Sequence, residues 1–272
     1  MSDLTDAIER TRHHWADREV DAAMIAELDA AAQAAPAARS LLEVLSEDRL
    51  ALLVEPKRAT ATRGTINPDL DLGAVARECE AAGACAISVV TERELSGGTI
   101  DDLRAARAAA TIPVIARDLV VDLRQVYELR AAGADALLVP ARVFADEFDE
   151  DDAILDGRAT SGEIIALAHR LGMEFLFSIG TEEELAFAVD THADALNIDN
   201  RAERGNIDVE RTFELLAEVP LGWPVISESI ATVDEVAKLH RAGVDGLLLD
   251  EGHTDTGLAS ALAVYADLTL DA

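Results

Sequence analysis

An acid and a base lie two positions apart at the end of one apolar stretch. Residues 52–54, Leu-Leu-Val, run directly into Glu55, Pro56 and Lys57. In an extended strand, side chains two positions apart point to the same face, so Glu55 and Lys57 project together. A carboxylate beside an ammonium can hold and move protons. The other interpretation is an ion pair at a strand end with a purely structural role.

Further polar side chains follow apolar runs in the same way. They are Ser88 and Thr91, Arg117 and Asp118, Ser178, the segment 199–201 (Asp-Asn-Arg), Glu228 and Ser229, and Asp250 and Glu251. If the apolar runs are parallel strands of a barrel, their C-terminal ends meet at one mouth. Each of these residues taken alone is equally typical of a solvated loop, but their recurrence favours a pocket.

The apolar runs alternate with stretches of helical spacing. The runs are residues 52–54, 85–90, 114–115, 136–139, 175–179, 195–198, 225–226 and 246–249. Helical spacing covers residues 72–82, 100–109, 123–132, 162–171 and 232–242. This alternation is typical of a parallel sheet buried on both faces, and eight runs predict a single (β/α)8 TIM barrel, an α/β fold. The alternative is a doubly wound open sheet, although no Gly-x-Gly-x-x-Gly motif follows the first strand.

A phrase of small residues and aspartate recurs before several of the predicted strands. It covers residues 132–136 (Ala-Gly-Ala-Asp-Ala), 192–195 (His-Ala-Asp-Ala) and 242–246 (Ala-Gly-Val-Asp-Gly), with a variant at 82–86. Each copy indicates a helix that ends at glycine or another small residue before the next strand begins.

The first 47 residues are predicted to be helical. Ser2 and Asp3 can cap a first helix that runs through Arg12. Residues 22–35 form a second helical pattern that ends at Pro36, and Ser40 opens a third over residues 41–45. Their apolar content is too small for an independent core, so residues 1–47 are interpreted as an N-terminal helical extension of a barrel formed by residues 48–272. We expect these helices to lie across one end of the barrel.

The net charge of the chain excludes some classes of binding partner. The chain has 272 residues, and its 53 acidic and 23 basic residues give a formal net charge of −30. Such a surface repels nucleic acid and anionic membranes. It is typical of adaptation to high salt, where screening weakens self-repulsion. We therefore expect a halophilic protein that binds neither nucleic acid nor membranes. We also expect a small-molecule substrate and a monomer or weak homo-oligomer.

Signals for metals, cofactors or targeting are not found in the sequence. Cys79 and Cys85 have no metal-binding or disulfide spacing, and the six histidines are scattered. The acidic run 146–152 lacks the alternating ligands and glycine of a calcium loop. No signal peptide or run of about 18 apolar residues is present. We expect no metal, no cofactor and a soluble, cytoplasmic chain.

Several motifs, in order, resemble those of the indole-3-glycerol phosphate synthase family. Residues 54–60 resemble Ala-Glu-x-Lys-Arg-x-Ser, residues 112–119 resemble Leu-Pro-Val-Leu-x-Lys-Asp-Phe, residues 197–201 resemble Gly-Ile-Asn-Asn-Arg, and residues 226–229 resemble Val-Ser-Glu-Ser. Residues 86–92 and 97–99 resemble the second strand and the Gly-Ser that follows it. The N-terminal extension also suits this family.

The resemblance implies a cofactor-free carboxy-lyase of tryptophan biosynthesis, which closes a ring with loss of CO2 on a carboxyphenylamino-deoxyribulose phosphate. It also implies that backbone N–H groups after the seventh and eighth strands hold the phosphate. The candidate catalytic residues are Glu55, Lys57, Arg117 and Glu228, and the candidate substrate-binding residues are Ser88, Asp199, Arg201 and Ser229. Of these, Arg201 matches an arginine near the substrate carboxylate.

The chain departs from the family motifs at several of these positions. Arg117 replaces the third-strand lysine, Ser178 the fifth-strand glutamate, Asp199 the sixth-strand asparagine, Ile230 a glycine, and Asp250 and Glu251 the eighth-strand Gly-Ser. A guanidinium anchors an anion but hardly donates a proton. Two carboxylates should repel a phosphate, by on the order of 4 kcal/mol per charge pair at ~4 Å and a dielectric constant near 20.

Three hypotheses therefore stay open. The first is the family reaction, with Lys57 as the remaining acid. The second is a diverged barrel enzyme that uses Glu55, Lys57 and Glu228 on a different, non-phosphorylated substrate. The third is a catalytically inactive paralogue with a binding role, since a fold by itself does not determine function.

Overall fold

Eight parallel strands close into a barrel. The computed structural model describes residues 3–18, 21–60, 64–148, 158–201, 206–229, 232–250 and 258–269. The strands are β1 (Ala51–Glu55), β2 (Ala86–Val90), β3 (Val114–Arg117), β4 (Ala136–Pro140), β5 (Glu174–Ile179), β6 (Ala195–Asp199), β7 (Val225–Glu228) and β8 (Gly246–Asp250). Each strand pairs with its neighbours along the chain, and β8 pairs with β1. The predicted (β/α)8 TIM barrel is confirmed, and the open-sheet alternative is wrong because the ring is closed.

Helices precede the barrel and follow its strands. They are α1 (Asp3–Ala16), α2 (Ala22–Ala34), α3 (Leu41–Leu45), α4 (Leu72–Ala81), α5 (Ile100–Ala109), α6 (Leu123–Ala131), α7 (Ser161–Arg170), α8 (Glu182–Val189), α9 (Glu210–Leu216), α10 (Val233–Ala242) and α11 (Leu258–Thr269). A short hairpin (Ala59–Thr60 with Gly64–Thr65) follows β1, and a 3-10 helix (Ala141–Glu147) follows β4. Within the described ranges, no helix has the length and apolar character that crossing a membrane requires.

Side chains of each strand alternate between the barrel interior and the helices outside. On β1, Leu52 and Val54 pack in the outer core, whereas Ala51 and Leu53 belong to the inner cluster. This alternation has the two-residue period of a strand. The next inward position on β1 is Glu55, so the strand itself aims this carboxylate into the mouth of the barrel.

The recurring aspartate phrase has a structural role at the N-terminal ends of the strands. Asp135 accepts a hydrogen bond from the backbone N–H of Val114 at 2.8 Å, and Asp194 accepts one from Phe175 at 2.7 Å. Asp245 accepts one from Val225 at 2.8 Å. Each aspartate thus satisfies a backbone donor of the preceding strand, which would otherwise be costly to bury.

The N-terminal extension runs along the barrel from one end to the other. At the C-terminal end of the strands, Arg12 of α1 donates to the carbonyl of Val143 at 2.7 Å. At the opposite end, Leu41 and Leu45 of α3 pack into the inner cluster. Glu174, at the start of β5, accepts hydrogen bonds from the first turn of α3. The expectation that these helices lie across one end is therefore wrong.

Candidate active site

The inward face of the barrel changes from apolar to polar where the strands end. The polar side chains of this layer are Glu55, Ser88, Arg117, Ser178, Asn197, Glu228 and Asp250, with Lys57 and Arg201 just beyond β1 and β6. All of them except the two arginines are buried. The structure thus brings the four candidate catalytic residues into one cluster, together with Ser88 and Arg201.

Glu55 is anchored from three directions. Its carboxylate lies 2.8 Å from Lys57 Nζ and 3.0 Å from Arg117 Nη1, and it accepts a hydrogen bond from Ser88 Oγ at 2.7 Å. Burial by itself raises the pKa of Glu55, but Arg117 and Lys57 outweigh burial and bring the pKa to about 2. Glu55 is therefore a permanent anion, suited to holding cations in place.

Lys57 lies at the centre of three carboxylates. Its Nζ is 2.8 Å from Glu55, 3.2 Å from Asp250 and 3.8 Å from Glu228. Burial lowers the pKa of Lys57, but the attraction of Glu55, Asp250 and Glu228 outweighs it and raises the pKa above its usual value. The carboxylates therefore hold Lys57 in its ammonium form.

Arg117 bridges the two glutamates of the cluster. Its Nη1 lies 3.0 Å from Glu55 Oε1 and 2.8 Å from Glu228 Oε1. Burial lowers the pKa of Arg117, but Glu228 and Glu55 outweigh it, so the net pKa lies well above the usual range. The guanidinium can position anions, but it cannot serve as the acid of a reaction.

Glu228 differs from Glu55 although both are fully buried glutamates. It accepts hydrogen bonds from Arg117 Nη1 and Asn197 Nδ2, each at 2.8 Å. Burial raises the pKa of Glu228, and the positive charge of Arg117 lowers it. The negative charges of Asp199 and Glu55 raise it further, so the net pKa lies above the usual value. When two carboxyl groups have their pKa values pushed apart in this way, the raised one is the candidate for proton transfer.

Asp250 is paired within the cluster. It contacts Lys57 at 3.2 Å and also forms an ion pair with Arg201. Burial lowers the pKa of Arg201, but Asp250 and Glu228 outweigh it and raise the pKa. Sequence reasoning identified Asp250 only as a group that repels phosphate, but in the structure it also occupies two cations that could otherwise bind a substrate anion.

Asp199 and Ser229 face each other beside this cluster. Asp199 Oδ1 accepts a hydrogen bond from the backbone N–H of Arg201 at 2.9 Å, and Ser229 Oγ lies 3.4 Å from the same oxygen. Ser229 has a φ of 61°, in the left-handed region that favours glycine. Strain of this kind is maintained by the surrounding structure and is concentrated at functional sites.

Two features of the site were missed by sequence reasoning. Asn197 lies on the inward face of β6 and contacts Glu228, although the motif comparison gave it no role. Thr212, on α9, donates to Asn200 at 2.8 Å, and Asn200 donates to the carbonyl of Glu228 at 2.8 Å. Only the inward alternation along β6 could have indicated Asn197, and no local pattern could have indicated Thr212.

Some residues predicted to line the mouth lie apart from the cluster, and others lie outside the described residues. Thr91 donates to Asp118 at 2.7 Å, and burial raises the pKa of Asp118 to about 6 even though Thr91 opposes this. Ile230, Glu251 and residues 149–152 of the acidic run lie outside the described residues. In the part of the chain that is described, no group of three His, Cys, Asp or Glu side chains could hold a metal ion.

Comparison with known proteins identifies the family. A family model described as indole-3-glycerol phosphate synthase matches residues 5–256. This chain belongs to that family. A protein of that name from Desulfotalea psychrophila is 32% identical over 271 residues, covering 98% of this chain and 99% of the relative. Another from Bacteroides thetaiotaomicron is 30% identical over 254 residues, covering 92% of each chain.

Solved structures show the likeness of the fold. 3-Hexulose-6-phosphate synthase from Salmonella typhimurium matches with a TM-score of 0.59 at 14% identity, covering 81% of this chain and 98% of that one. An N-acetylmannosamine-6-phosphate 2-epimerase from Clostridium perfringens matches with a TM-score of 0.58 at 16% identity, covering 85% and 96%. At these identities the comparison shows the barrel fold alone.

Relative to the indole-3-glycerol phosphate synthase motifs, the cluster combines retained and changed residues. Glu55, Lys57 and Glu228 stand where the motifs have the same residue types. Arg117 and Asp250 stand where the motifs have lysine and glycine. The five form one network of ion pairs, in which Lys57 contacts Glu55, Glu228 and Asp250, and Arg117 contacts both glutamates. The changed residues therefore directly alter the surroundings of the retained ones.

Proposed function

We propose that this chain is a carboxy-lyase of the indole-3-glycerol phosphate synthase type, acting in tryptophan biosynthesis. The substrate is the carboxyphenylamino-deoxyribulose phosphate that the family resemblance implies. The observation that carries the proposal is the convergence of Lys57, Glu55 and Glu228, with the pKa values of the two glutamates shifted in opposite directions. This arrangement supplies an ammonium, a permanent anion that holds it, and a carboxyl group suited to proton transfer.

Lys57 is the proton donor in this proposal. As the ring carbon that bears the carboxylate attacks the ketone carbon, the ketone oxygen takes a proton from the ammonium. Loss of CO2 returns the electron pair of the broken bond to the ring. The Lys57 amine regains a proton from solvent and gives it to the resulting hydroxyl group, which leaves as water. Glu55, 2.8 Å from Lys57 Nζ, keeps the ammonium charged and in place.

Glu228 is the proton acceptor. The last step removes a proton from the carbon next to nitrogen, and this step completes the indole ring. A carboxylate with a raised pKa is a stronger base than a free glutamate, which suits this role. Arg117, 2.8 Å from Glu228, is placed to hold the substrate carboxylate before it is lost.

A second candidate function is favoured by one observation. Asp250 ends β8 inside the mouth and is bound to both Lys57 and Arg201. A phosphate would have to displace this carboxylate or lie against it, and both are unfavourable. The same proton-transfer residues would then act on a related substrate that carries no phosphate.

An activity assay in molar KCl tests the proposal. Purified protein is supplied with the carboxyphenylamino-deoxyribulose phosphate, and formation of the indole product is followed by fluorescence. We expect product from the unaltered protein and none from Lys57→Met. Complementation of a tryptophan auxotroph lacking the synthase, in a salt-tolerant host, is the matching test in cells. Failure of both, with the protein folded, would contradict the proposal and leave the second candidate or an inactive paralogue.

We also propose that the protein works in the cytoplasm of a salt-adapted cell, as a monomer or weak homo-oligomer that binds no nucleic acid. The support is the formal net charge of −30, which opposes close approach to polyanions and to other copies. Light scattering after size exclusion in molar KCl measures the oligomeric state. A stable tetramer or a nucleic-acid complex would contradict the proposal.

A further inference from the structure

Asn197 has an unusual position beneath the reacting groups. It lies on the inward face of β6, is fully buried, and is paired in register with Ser178 of β5. Its Nδ2 donates to Glu228 Oε2 at 2.8 Å and to Ser178 Oγ at 3.2 Å. Its Oδ1 is buried and has no hydrogen-bond partner among the described residues.

The unpaired oxygen indicates what fixes this amide. A buried acceptor without a partner is unfavourable, and such groups in folded proteins call for an explanation. Turning the amide over would bring Oδ1 against Glu228 Oε2, so two acceptors would face each other whenever Glu228 is ionised. The hydrogen bond that Nδ2 donates to Glu228 therefore determines the orientation of the Asn197 amide.

We infer that Asn197 is a positioning residue that holds Glu228 in its ionised form, through the hydrogen bond from Asn197 Nδ2 to Glu228 Oε2 at 2.8 Å. A hydrogen bond to the charged form of a carboxyl group stabilises that form. Burial, Asp199 and Glu55 all favour the protonated form of Glu228, so without the amide this group would keep its proton to a higher pH. Asn197 thus allows Glu228 to be a base in a site where neighbouring carboxylates otherwise disfavour a further anion.

This inference rests on the proposed function only for its kinetic consequence, because the proton affinity of Glu228 can be measured without substrate. Carboxyl carbons of glutamate are labelled with ¹³C, and the signal of Glu228 is identified by its loss in Glu228→Gln. The titration of that signal is then followed by NMR in the unaltered protein, Asn197→Leu and Asn197→Ala. The leucine keeps water from replacing the amide, and the alanine fits without crowding if the leucine variant fails to fold.

We expect the midpoint for Glu228 to rise by about half a pH unit or more in both variants, because the donor to the charged form is gone. Ser178→Ala is the matched control: it removes the other acceptor of Asn197 and should leave the Glu228 midpoint in place. If the family activity is present, the acid limb of the pH–rate profile should shift to higher pH by the same amount as the Glu228 midpoint.

The outcomes separate the inference from the proposed function. An unchanged Glu228 midpoint in folded Asn197→Ala would overturn the inference, whether or not the enzyme is active. A raised midpoint in a protein without activity on the family substrate would support the inference and count against the proposed function. A fall in rate at every pH, with the midpoint unchanged, would show a merely structural role for Asn197.

Discussion

Replacing Asp250 with asparagine distinguishes the two candidate substrates. The side chain is buried and contacts Lys57 and Arg201, so the change removes one negative charge while it preserves the shape. Both cations then become available to an anion from outside. If the substrate carries no phosphate, inorganic phosphate should show no measurable binding to the unaltered protein at millimolar concentration and measurable binding to Asp250→Asn. If the family substrate is the true one, both proteins should bind phosphate measurably.

The magnitude follows from the distances. At 3.2 Å from Lys57 Nζ, Asp250 has a direct attraction on the order of 5 kcal/mol at an effective dielectric constant of about 20, and an incoming anion must compete with it. One phosphate charge placed ~4 Å from Asp250 would meet a repulsion of about 4 kcal/mol, or roughly a thousandfold in affinity. Molar salt screens the exposed part of this interaction, so we expect a gain between about tenfold and a thousandfold.

Calorimetric titration in molar KCl measures this gain, with inorganic phosphate and with indole glycerol phosphate. Glu94→Gln is the control, since Glu94 also follows a strand end but is half-exposed and paired with Arg10. It should change neither affinity. Equally weak phosphate binding by all three proteins would refute the assigned role of Asp250. Tight phosphate binding by the unaltered protein would also refute it, and would remove the case for a non-phosphorylated substrate.

Three other predictions concern charge. Lys57→Met should abolish activity and also cost about 3–5 kcal/mol of stability in urea unfolding, because it leaves buried carboxylates with fewer cations; a fully active variant would contradict this. Because the pKa of Glu55 is lowered from 4.5 to about 2, its contribution to stability is present above pH ~4.5 and is lost as the pH falls toward 2. Glu55→Gln should therefore flatten the stability profile over that window, and an unchanged slope would contradict the assignment. The thermal unfolding midpoint should rise between dilute and molar KCl, since a net charge of −30 is poorly screened in dilute buffer; a constant midpoint would contradict it.

The sequence was sufficient for the barrel because each strand carries its own local signal. Continuous apolar runs and the alternation along β1 identify which residues face inward, and Glu55 follows from that pattern alone. The path of the extension was not predictable in the same way. Its ends are determined by contacts with distant residues, such as the contact between Glu174 of β5 and the first turn of α3. No periodicity in residues 1–47 indicates these contacts.

The ion pairs between residues on different strands of the barrel mouth also could not be predicted from local sequence patterns. Lys57 and Asp250 are 193 positions apart, and their contact exists only because β8 closes against β1. Glu55 and Glu228 are chemically identical, and their pKa values diverge because Lys57 lies closer to the first and Asp199 beside the second. A pattern of residue types places both groups at strand ends, but it contains no information about which one keeps a proton.

Two changed residues of the cluster, Arg117 and Asp250, are best understood together. Arg117 spans Glu55 and Glu228, and Asp250 supplies Lys57 with a further anion, so each alters the charge balance that the other meets. We therefore expect Arg117→Lys and Asp250→Gly to be non-additive, with a coupling energy of about 0.5–3 kcal/mol in stability, as for residues of one ion-pair network. Urea unfolding of the two single variants and the double variant measures this coupling. Strict additivity would show that the substitutions are independent, and each would then have to be explained by its own local contacts.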